Sequence, residues 1–359
     1  MELAFLKPSE DRLYLDFYRR CCQTDSLCRD IMSPTLKKIL RGRAEIATTA
    51  QMWPVVVKND GRVVAGALLA IVDRLKEDLQ IAYFQALPEQ GEAVALLVQE
   101  AKVLAREHGA RRLLVGLNLH VNYGLGLLAS HFQLPQGFGS AYNPSYYIDY
   151  FAPAADETVE LVSYLTDMER FDFGLSPKVM ERMTRRYTVR QADFRRLPQE
   201  AELYTALNNQ AFAEHRFYYQ RRVAEDLELF REFRPFLREE NLLFLEEAGC
   251  PIGFMLWYPD FAQLMRPNEV ISWKTLLKVG LWRHKVDRYK IVEIGVIPQY
   301  RGNGAVLALF KRVRELTKGR FMECESGWIL KDNKASTGFG LRWAEQEYKK
   351  YKVFLIDVD

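Results

Sequence analysis

No apolar run in this chain reaches the roughly 18 residues that a membrane span needs. The opening residues, MELAFLKPSEDRLYLDF, carry acids where a secretory leader needs bases and then an apolar stretch, so a cytoplasmic location is expected. Cysteine is scarce too. The five present, Cys21, Cys22, Cys28, Cys250 and Cys324, form no C-x-x-C pair and are odd in number, which reads as reduced thiols and suggests no metal site. His108, His120, His131, His215 and His284 are scattered without ligand or triad spacing and read as structural. A net charge of +3 over 359 residues gives no strong field for nucleic acid, and 48% hydrophobic residues exclude disorder. Neither Gly-Lys-Ser/Thr after a glycine loop nor the G-x-G-x-x-G spacing occurs, which removes the two commonest nucleotide-binding layouts.

What is present is a strand, a glycine-punctuated loop and a helix in direct succession, VEIGVIPQYRGNGAVLALFKRVREL, residues 292 to 316. Gly302 and Gly304 can take positive φ and carry no Cβ, so backbone N–H groups from Gln299 to Ala305 can converge on one point. Val306, Leu309, Phe310, Val313 and Leu316 recur at helical spacing, and the free N–H groups at the start of that helix add its positive end. Together these make a cradle for a phosphate.

The chain describes one unit twice. PVVVKNDGRVVAGALLAIV, from residue 54, is two apolar runs joined by Asn59-Asp60-Gly61, a hairpin signal, and LLFLEEAGCPIGFMLWY, from residue 242, repeats the plan. Ile81 to Gly116 and Ile291 to Glu325 then both read strand, Pro, loop, helix, Gly, strand. The loops differ. Pro88 to Ala93 is five residues and keeps only Gly91, with Glu89 and Glu92 where a phosphate would sit, whereas Pro298 to Ala305 is seven. The first copy is therefore expected to lack the cradle. Between the copies, Ser176 and Pro177 open SPKVMERMTRR as a connecting helix, and Tyr187 to Arg190 starts the second unit.

Gln299-Tyr300-Arg301-Gly302-Asn303-Gly304-Ala305, after a strand ending in Val296-Ile297-Pro298, resembles the pyrophosphate loop of the GNAT-type acyltransferase superfamily. The whole layout resembles a bacterial family of tandem GNAT-like proteins, through Tyr142-Asn143-Pro144-Ser145-Tyr146-Tyr147, Tyr258-Pro259-Asp260-Phe261 and Glu325-Ser326-Gly327-Trp328-Ile329-Leu330-Lys331-Asp332-Asn333. The resemblance implies an α/β (α+β) fold of two tandem units, each a mixed, mostly antiparallel sheet flanked by helices and splayed between its fourth and fifth strands. Residues 1–170 would be a degenerate unit, 171–186 a connecting helix and 187–359 the unit that binds an acyl-coenzyme A, acetyl-coenzyme A in the first instance. Metal plays no part in that expectation.

By the same resemblance Ile294, Gly295 and Val296 would meet the pantetheine arm, Gln299 to Ala305 the pyrophosphate, and Asn333 the cofactor as well. Glu293 stands where members keep a general base, although a carboxylate facing a buried Arg would look the same. Members commonly place a proton-donating Tyr on the helix after the fifth strand, and here Phe339 holds that register, which leaves Tyr348 as the candidate acid. Glu323 and Glu325, two apart on a strand, face one side and could take an amine. Trp273, Leu276, Leu277, Leu281 and Trp282 mark one stripe of a basic amphipathic helix, with Lys274, Lys278, Arg283, His284 and Lys285 around it. Its apolar stripe is expected on the sheet and its bases over the cleft, with a membrane-surface role as the other option. The function expected is N-acyl transfer to a small amine or amino-acid-like acceptor, with no nucleic-acid partner and no stable membrane association. The alternatives are a non-catalytic acyl-coenzyme A sensor and an aminoacyl-tRNA dependent transferase.

Overall fold

The computed structural model describes residues 1–344 and 346–359, with the side chains of Met180, Thr184, Ala335, Phe339, Trp343 and Gln346 outside the description. The chain forms two units, and neither is one continuous stretch. The first is Met1–Val162, Met265–Thr275 and Lys349–Asp359, and the second is Ser163–Leu264 and Leu276–Tyr348.

The first unit runs β1 (Glu2–Phe5), α1 (Asp11–Gln23), α2 (Ser33–Leu40), β2 (Ala50–Asn59), β3 (Arg62–Val72), β4 (Asp78–Ala86), α3 (Gly91–Glu107), β5 (Arg112–Val115), β6 (Leu127–Leu128), α4 (Tyr146–Phe151) and the start of β7 (Glu157–Asp167). In the second follow α5 (Pro177–Arg186), β8 (Tyr187–Gln191), α6 (Leu197–Ala211), α7 (Val223–Phe233), β9 (Leu242–Glu247), β10 (Cys250–Pro259), α8 (Trp273–Trp282, from Leu276 on), β11 (Arg288–Val296), α9 (Ala305–Thr317), β12 (Glu323–Ser326), β13 (Ile329–Leu330) and α10 (Lys334–Trp343). The chain closes with β14 (Gln346–Asp357).

Each unit carries the expected hairpin. Asp60 and Gly61 have φ of 49° and 75°, and Ala248 and Gly249 have 49° and 79°, the two positive values that a tight I′ turn requires. In the first unit β1, β2, β3 and β4 pair antiparallel in sequence order and β5 joins parallel to β4. In the second, β8, β9, β10 and β11 do the same and β12 joins parallel to β11. The sixth position departs from a linear reading of the chain. In the first unit it belongs to β14, whose Phe354 to Asp357 pair with Val115 to Arg112, and in the second to the end of β7, where Asp167 to Leu165 pair with Glu323 to Glu325.

Both parallel contacts are short. β4 runs to Ala86 but pairs with β5 only as far as Ile81, and β11 runs to Val296 but pairs with β12 only as far as Ile291. The fourth and fifth strands therefore splay in both units. In the second unit β11 bulges at Val292, between the pairs Leu256–Glu293 and Trp257–Ile291. Gly327 closes on that bulge, its N–H on the Ile291 carbonyl at 2.6 Å, where a Cβ would lie 2.6 Å from the Val292 oxygen.

Helix α9 packs on one face of this sheet through Ala305, Ala308, Leu309 and Val313, while α6 and α7 cover the other with Ala201, Tyr204, Leu207 and Phe230. Helix α8 departs from expectation. Its apolar stripe does not pack inward: Trp273, Leu277 and Leu281 are exposed, and Thr275 and Val279 are the buried residues. Among the described residues no helix is long and apolar enough to cross a membrane.

The expectation of five free thiols is corrected for two of them. Cys22 and Cys28 form a disulfide across the end of α1, with Cα atoms 5.5 Å apart, because the chain turns back through Asp25, whose carboxylate accepts from the Leu27 N–H at 2.9 Å. Five residues stand between them, a wider spacing than C-x-x-C. Cys324 is the buried core thiol expected, and burial pushes it up to about 12. Cys22→Ser should lower the stability of the protein by about 2 kcal/mol, as the loss of a short closed loop does, and peptide mapping without reductant should recover Cys22 linked to Cys28. A free thiol at both positions would show that the turn holds without the bond.

Candidate functional site

The geometry of the second unit begins at the open edge of β11. The Ile297 N–H donates to the Ile252 carbonyl of β10 at 3.0 Å. Alternation along an antiparallel strand then aims the backbone of Gly295 at β10 and that of Ile294 and Val296 away from it, into the splay. Arg301 takes one of those groups, its Nε donating to the Val296 carbonyl at 3.1 Å while Nη2 donates to the Ala211 carbonyl. Gly295 has no room for a side chain, since a Cβ there would come within 2.6 Å of the Phe254 ring and 2.8 Å of Ala211.

Beyond the strand, Pro298 to Tyr300 form one 3-10 turn, closed by the Tyr300 N–H on the Ile297 carbonyl at 3.0 Å. Gly302 and Gly304 both take φ of 77°, and Gly304 caps α9. Among the described residues, the N–H groups of Gly302, Asn303, Gly304 and Ala305 donate to no backbone carbonyl. Gly302 faces open space. Met183 of α5 lies 3.6 Å from where a Cβ of Gly304 would be, so that helix, with Lys178 and Arg182, runs beside the loop. Loop N–H groups without a backbone acceptor, two left-handed glycines, a helix start and a nearby basic helix fit a pyrophosphate. Arg301 stands apart from that set, because its guanidinium is spent on Val296 and Ala211.

Glu293 lies on the face of β11 toward α6 and α7. Its Oε1 accepts from Arg221 Nη2 at 2.5 Å, and its Oε2 accepts from the Tyr204 hydroxyl and from Asn208 Nδ2 at 3.4 Å. Arg221 is fully buried and also pairs with Asp226 at 3.3 Å. Burial pushes the Asp226 carboxyl up and the Arg221 guanidinium pulls it back. The buried-Arg arrangement foreseen for Glu293 is thus present, and the Glu293 side chain keeps 16% of its surface exposed.

The remaining candidates are not brought to the splay. The Tyr348 ring lies 5.9 Å from the Arg288 guanidinium carbon, at the start of β11, and six residues of extended strand, about 20 Å, separate Arg288 from Ile294. Burial raises the Tyr348 phenol, against the opposing pull of Arg288. Glu323 is bonded to Arg288 at 2.6 Å, and Glu325 is buried where β12 is still paired with β11. Both carboxylates thus project from the part of β12 that is paired with β11, before the fork. Asn333 caps α10, its side-chain oxygen accepting from the Ser336 N–H at 3.1 Å. Phe339 lies outside the described side chains.

The first unit has the same splay but fills it. Tyr147 accepts from the Ala86 N–H at 2.8 Å and donates to Gln85 Oε1 at 2.9 Å, and Tyr146 donates to the Ala86 carbonyl at 3.1 Å. Tyr150 accepts from the Gln90 N–H at 2.9 Å and donates to the Leu87 carbonyl at 2.8 Å. Nearer the fork, the Tyr83 N–H donates to Asn118 Oδ1 at 2.7 Å, and Gln80 and Leu119 bond each other through both amide groups. Helix α4 thus occupies the strand end and loop that lie open in the second unit. The tyrosine run was visible in the sequence as a family motif, but its role as a plug was not. A cavity of about 370 Å³ remains beside it, lined by Gln85 to Pro88, Asp25, Asp30 and the disulfide.

No protein-family model matches the chain. A Caulobacter vibrioides protein called bacterial ceramide synthase is 24% identical over 281 residues, which is 72% of this chain and 70% of that protein. A tandem GNAT protein from the clavulanic acid biosynthesis pathway matches in structure over 100% of this chain and 98% of its own, with 13% identity and a TM-score of 0.56. A probable N-acyltransferase from Enterococcus faecalis matches over 99% of this chain and 72% of its own, with 10% identity and a TM-score of 0.57. At such identities the likeness is one of fold, and the fold is a tandem GNAT fold.

The two loops predict one binding event per chain. Calorimetry with coenzyme A should give a stoichiometry of one, and Gly302→Glu with Gly304→Glu should abolish it, because each change adds a charge repelling phosphate and a side chain in a left-handed position. Two equivalents of ligand, or unchanged binding in the double variant, would contradict the assignment.

Proposed function

We propose that this protein is an acyl-coenzyme A dependent N-acyltransferase that works through its second unit. The observation that carries the reading is the pairing of an unsatisfied backbone loop, Gly302 to Ala305, with the open edge of β11. Bound acyl-coenzyme A supplies the thioester whose C–S bond is exchanged for the C–N bond of an amide. The loop N–H groups, with Gln299 and Tyr300 in the preceding turn, would hold the pyrophosphate. Ile294 and Val296 would pair with the pantetheine amides, and an N–H of that edge would polarise the reacting carbonyl. Gly295 lets the strand lie close on α6, and Arg301 ties the strand end to the loop, a positioning role. Asn333 would meet the cofactor through its side-chain NH2, since its cap on α10 uses only the oxygen.

The attacking amine must lose a proton, and Glu293 is the carboxylate nearest the open edge along the strand. It would accept that proton through its exposed fraction while Arg221 supplies the counter-charge. With Tyr348 at the far end of β11, solvent water would protonate the leaving thiolate. Glu323 would meet an acceptor in competition with its ion pair to Arg288, and Glu325 only from its buried position on β12. For the acceptor we propose a small amine or amino-acid-like compound. The Caulobacter relative's name adds a long-chain amino alcohol as a second class worth assay, with a long acyl chain in place of acetyl.

A second reading, a non-catalytic acyl-coenzyme A sensor, is favoured by the occupation of both Glu293 oxygens. One pair of variants separates them. If Glu293 is the base, Glu293→Gln should lower turnover about 100-fold or more and leave coenzyme A affinity nearly unchanged, measured as thiol release with both acceptor classes. Arg221→Met should instead cost about 3–5 kcal/mol of stability, since it strands Glu293 and Asp226 without their partner. Thiol release by Glu293→Gln at the wild-type rate would make the carboxylate structural, and no release by the wild type with any acceptor would favour the sensor.

A further inference from the structure

Helix α8 is built inside out. A surface helix of a soluble protein turns its apolar stripe to the core and its polar face to water. Here Thr275 and Val279 are the buried residues, at 0% and 5% exposure, while Trp273, Leu277 and Leu281 stand 65%, 56% and 67% exposed. At 100° per residue these three fall within an arc of about 80°, centred opposite the Thr275–Val279 face. Trp282, at the end of the helix, is 43% exposed. From residue 273 to residue 285 the chain holds Lys274, Lys278, Arg283 and Lys285 and no acid.

The charges are arranged around the aromatics. Lys274 Nζ lies 6.0 Å from the Trp273 ring centre and Lys285 Nζ lies 5.8 Å from that of Trp282. Arg283 is turned inward, donating to the Phe236 carbonyl at 3.1 Å, and so belongs to the fold rather than to the outer face. Exposed indole and leucine side chains beside lysines, with no acid among them, are the composition of a helix that lies in a bilayer interface. A contact of aliphatic and aromatic groups alone would suit a protein partner equally, but the single-sign charge selects an anionic surface.

We propose that α8 docks the protein reversibly on the surface of an anionic lipid bilayer, with Trp273, Leu277 and Leu281 entering the headgroup region and Lys274 and Lys285 meeting lipid phosphates. The contact does not depend on acyl transfer, because vesicle binding is read without turnover. If the acceptor or acyl chain is lipid-like, the same contact would bring the protein to its substrate.

The test is co-sedimentation of the full chain with vesicles of three parts phosphatidylcholine to one part phosphatidylglycerol, and with pure phosphatidylcholine. The wild type should bind the anionic vesicles at least about ten-fold more tightly than the neutral ones, and binding should weaken as salt is raised. Leu277→Asp with Leu281→Asp should lose that binding while keeping the thermal midpoint, as exposed positions allow, and Lys274→Glu with Lys285→Glu should lose the preference for anionic lipid alone. Failure of the wild type to sediment with anionic vesicles would overturn the proposal. So would equal binding by the Leu277→Asp, Leu281→Asp variant, or light scattering that shows a wild-type dimer dispersed by those two changes without any vesicle binding.

Discussion

An extended strand cannot leave its backbone unpaired without cost, and in both units the fourth strand outruns the fifth. The forking of β11 from β12 at Val292 and Gly327, and of β4 from β5 beyond Ile81, exposes a short row of N–H and C=O groups inside each unit. Every such group needs a partner, from the chain, from water or from a ligand. How each unit answers that demand explains most of what distinguishes them.

The first unit answers with its own side chains. Three tyrosines of α4, with Asn118 and Gln80, satisfy β4 and the loop after it, and Glu89 beside that loop takes φ of 59° in place of a glycine. The second unit answers only in part. Arg301 covers the Val296 carbonyl, and the glycines after it hold further N–H groups open. The fork is thus kept in both units, and in the first it is filled by internal groups that make the hydrogen bonds the strand end needs. The buried ion pairs of Arg221 with Glu293 and Asp226, and the bonds of Glu293 to Tyr204 and Asn208, tie β11 to α6 and α7.

Much of this was legible in residue order, because the signals were local. Two positive-φ hairpin turns, the Ser176 cap with Pro177, and Gly302 with Gly304 each follow from a few neighbouring residues. The departures are all long-range. β14 completes the first unit because β5 needs an apolar partner, which Phe354, Leu355 and Ile356 provide from the far end of the chain. Arg221 reaches Glu293 across 72 residues of sequence, and Arg288 engages Glu323, a carboxylate that spacing alone had offered to a substrate. Tyr348 illustrates the same limit, since a position on the last strand says nothing about which end of β11 it faces. In α8 only Trp273, Leu277 and Leu281 of the expected stripe share the exposed face, while Leu276 is half-buried and Trp282 lies round the helix from them; periodicity does not tell which side of a helix is inward.

The claim that one open edge is plugged by the chain and the other kept for a ligand can be read amide by amide. Hydrogen exchange on the protein alone should find the Ala86 and Gln90 N–H groups protected and those of Ile294, Val296 and Gly302 to Ala305 exchanging freely. Addition of coenzyme A should then slow the second set and leave the first unchanged. Free exchange at Ala86 and Gln90 without ligand, or protection there on addition of coenzyme A, would contradict the distinction between the two units.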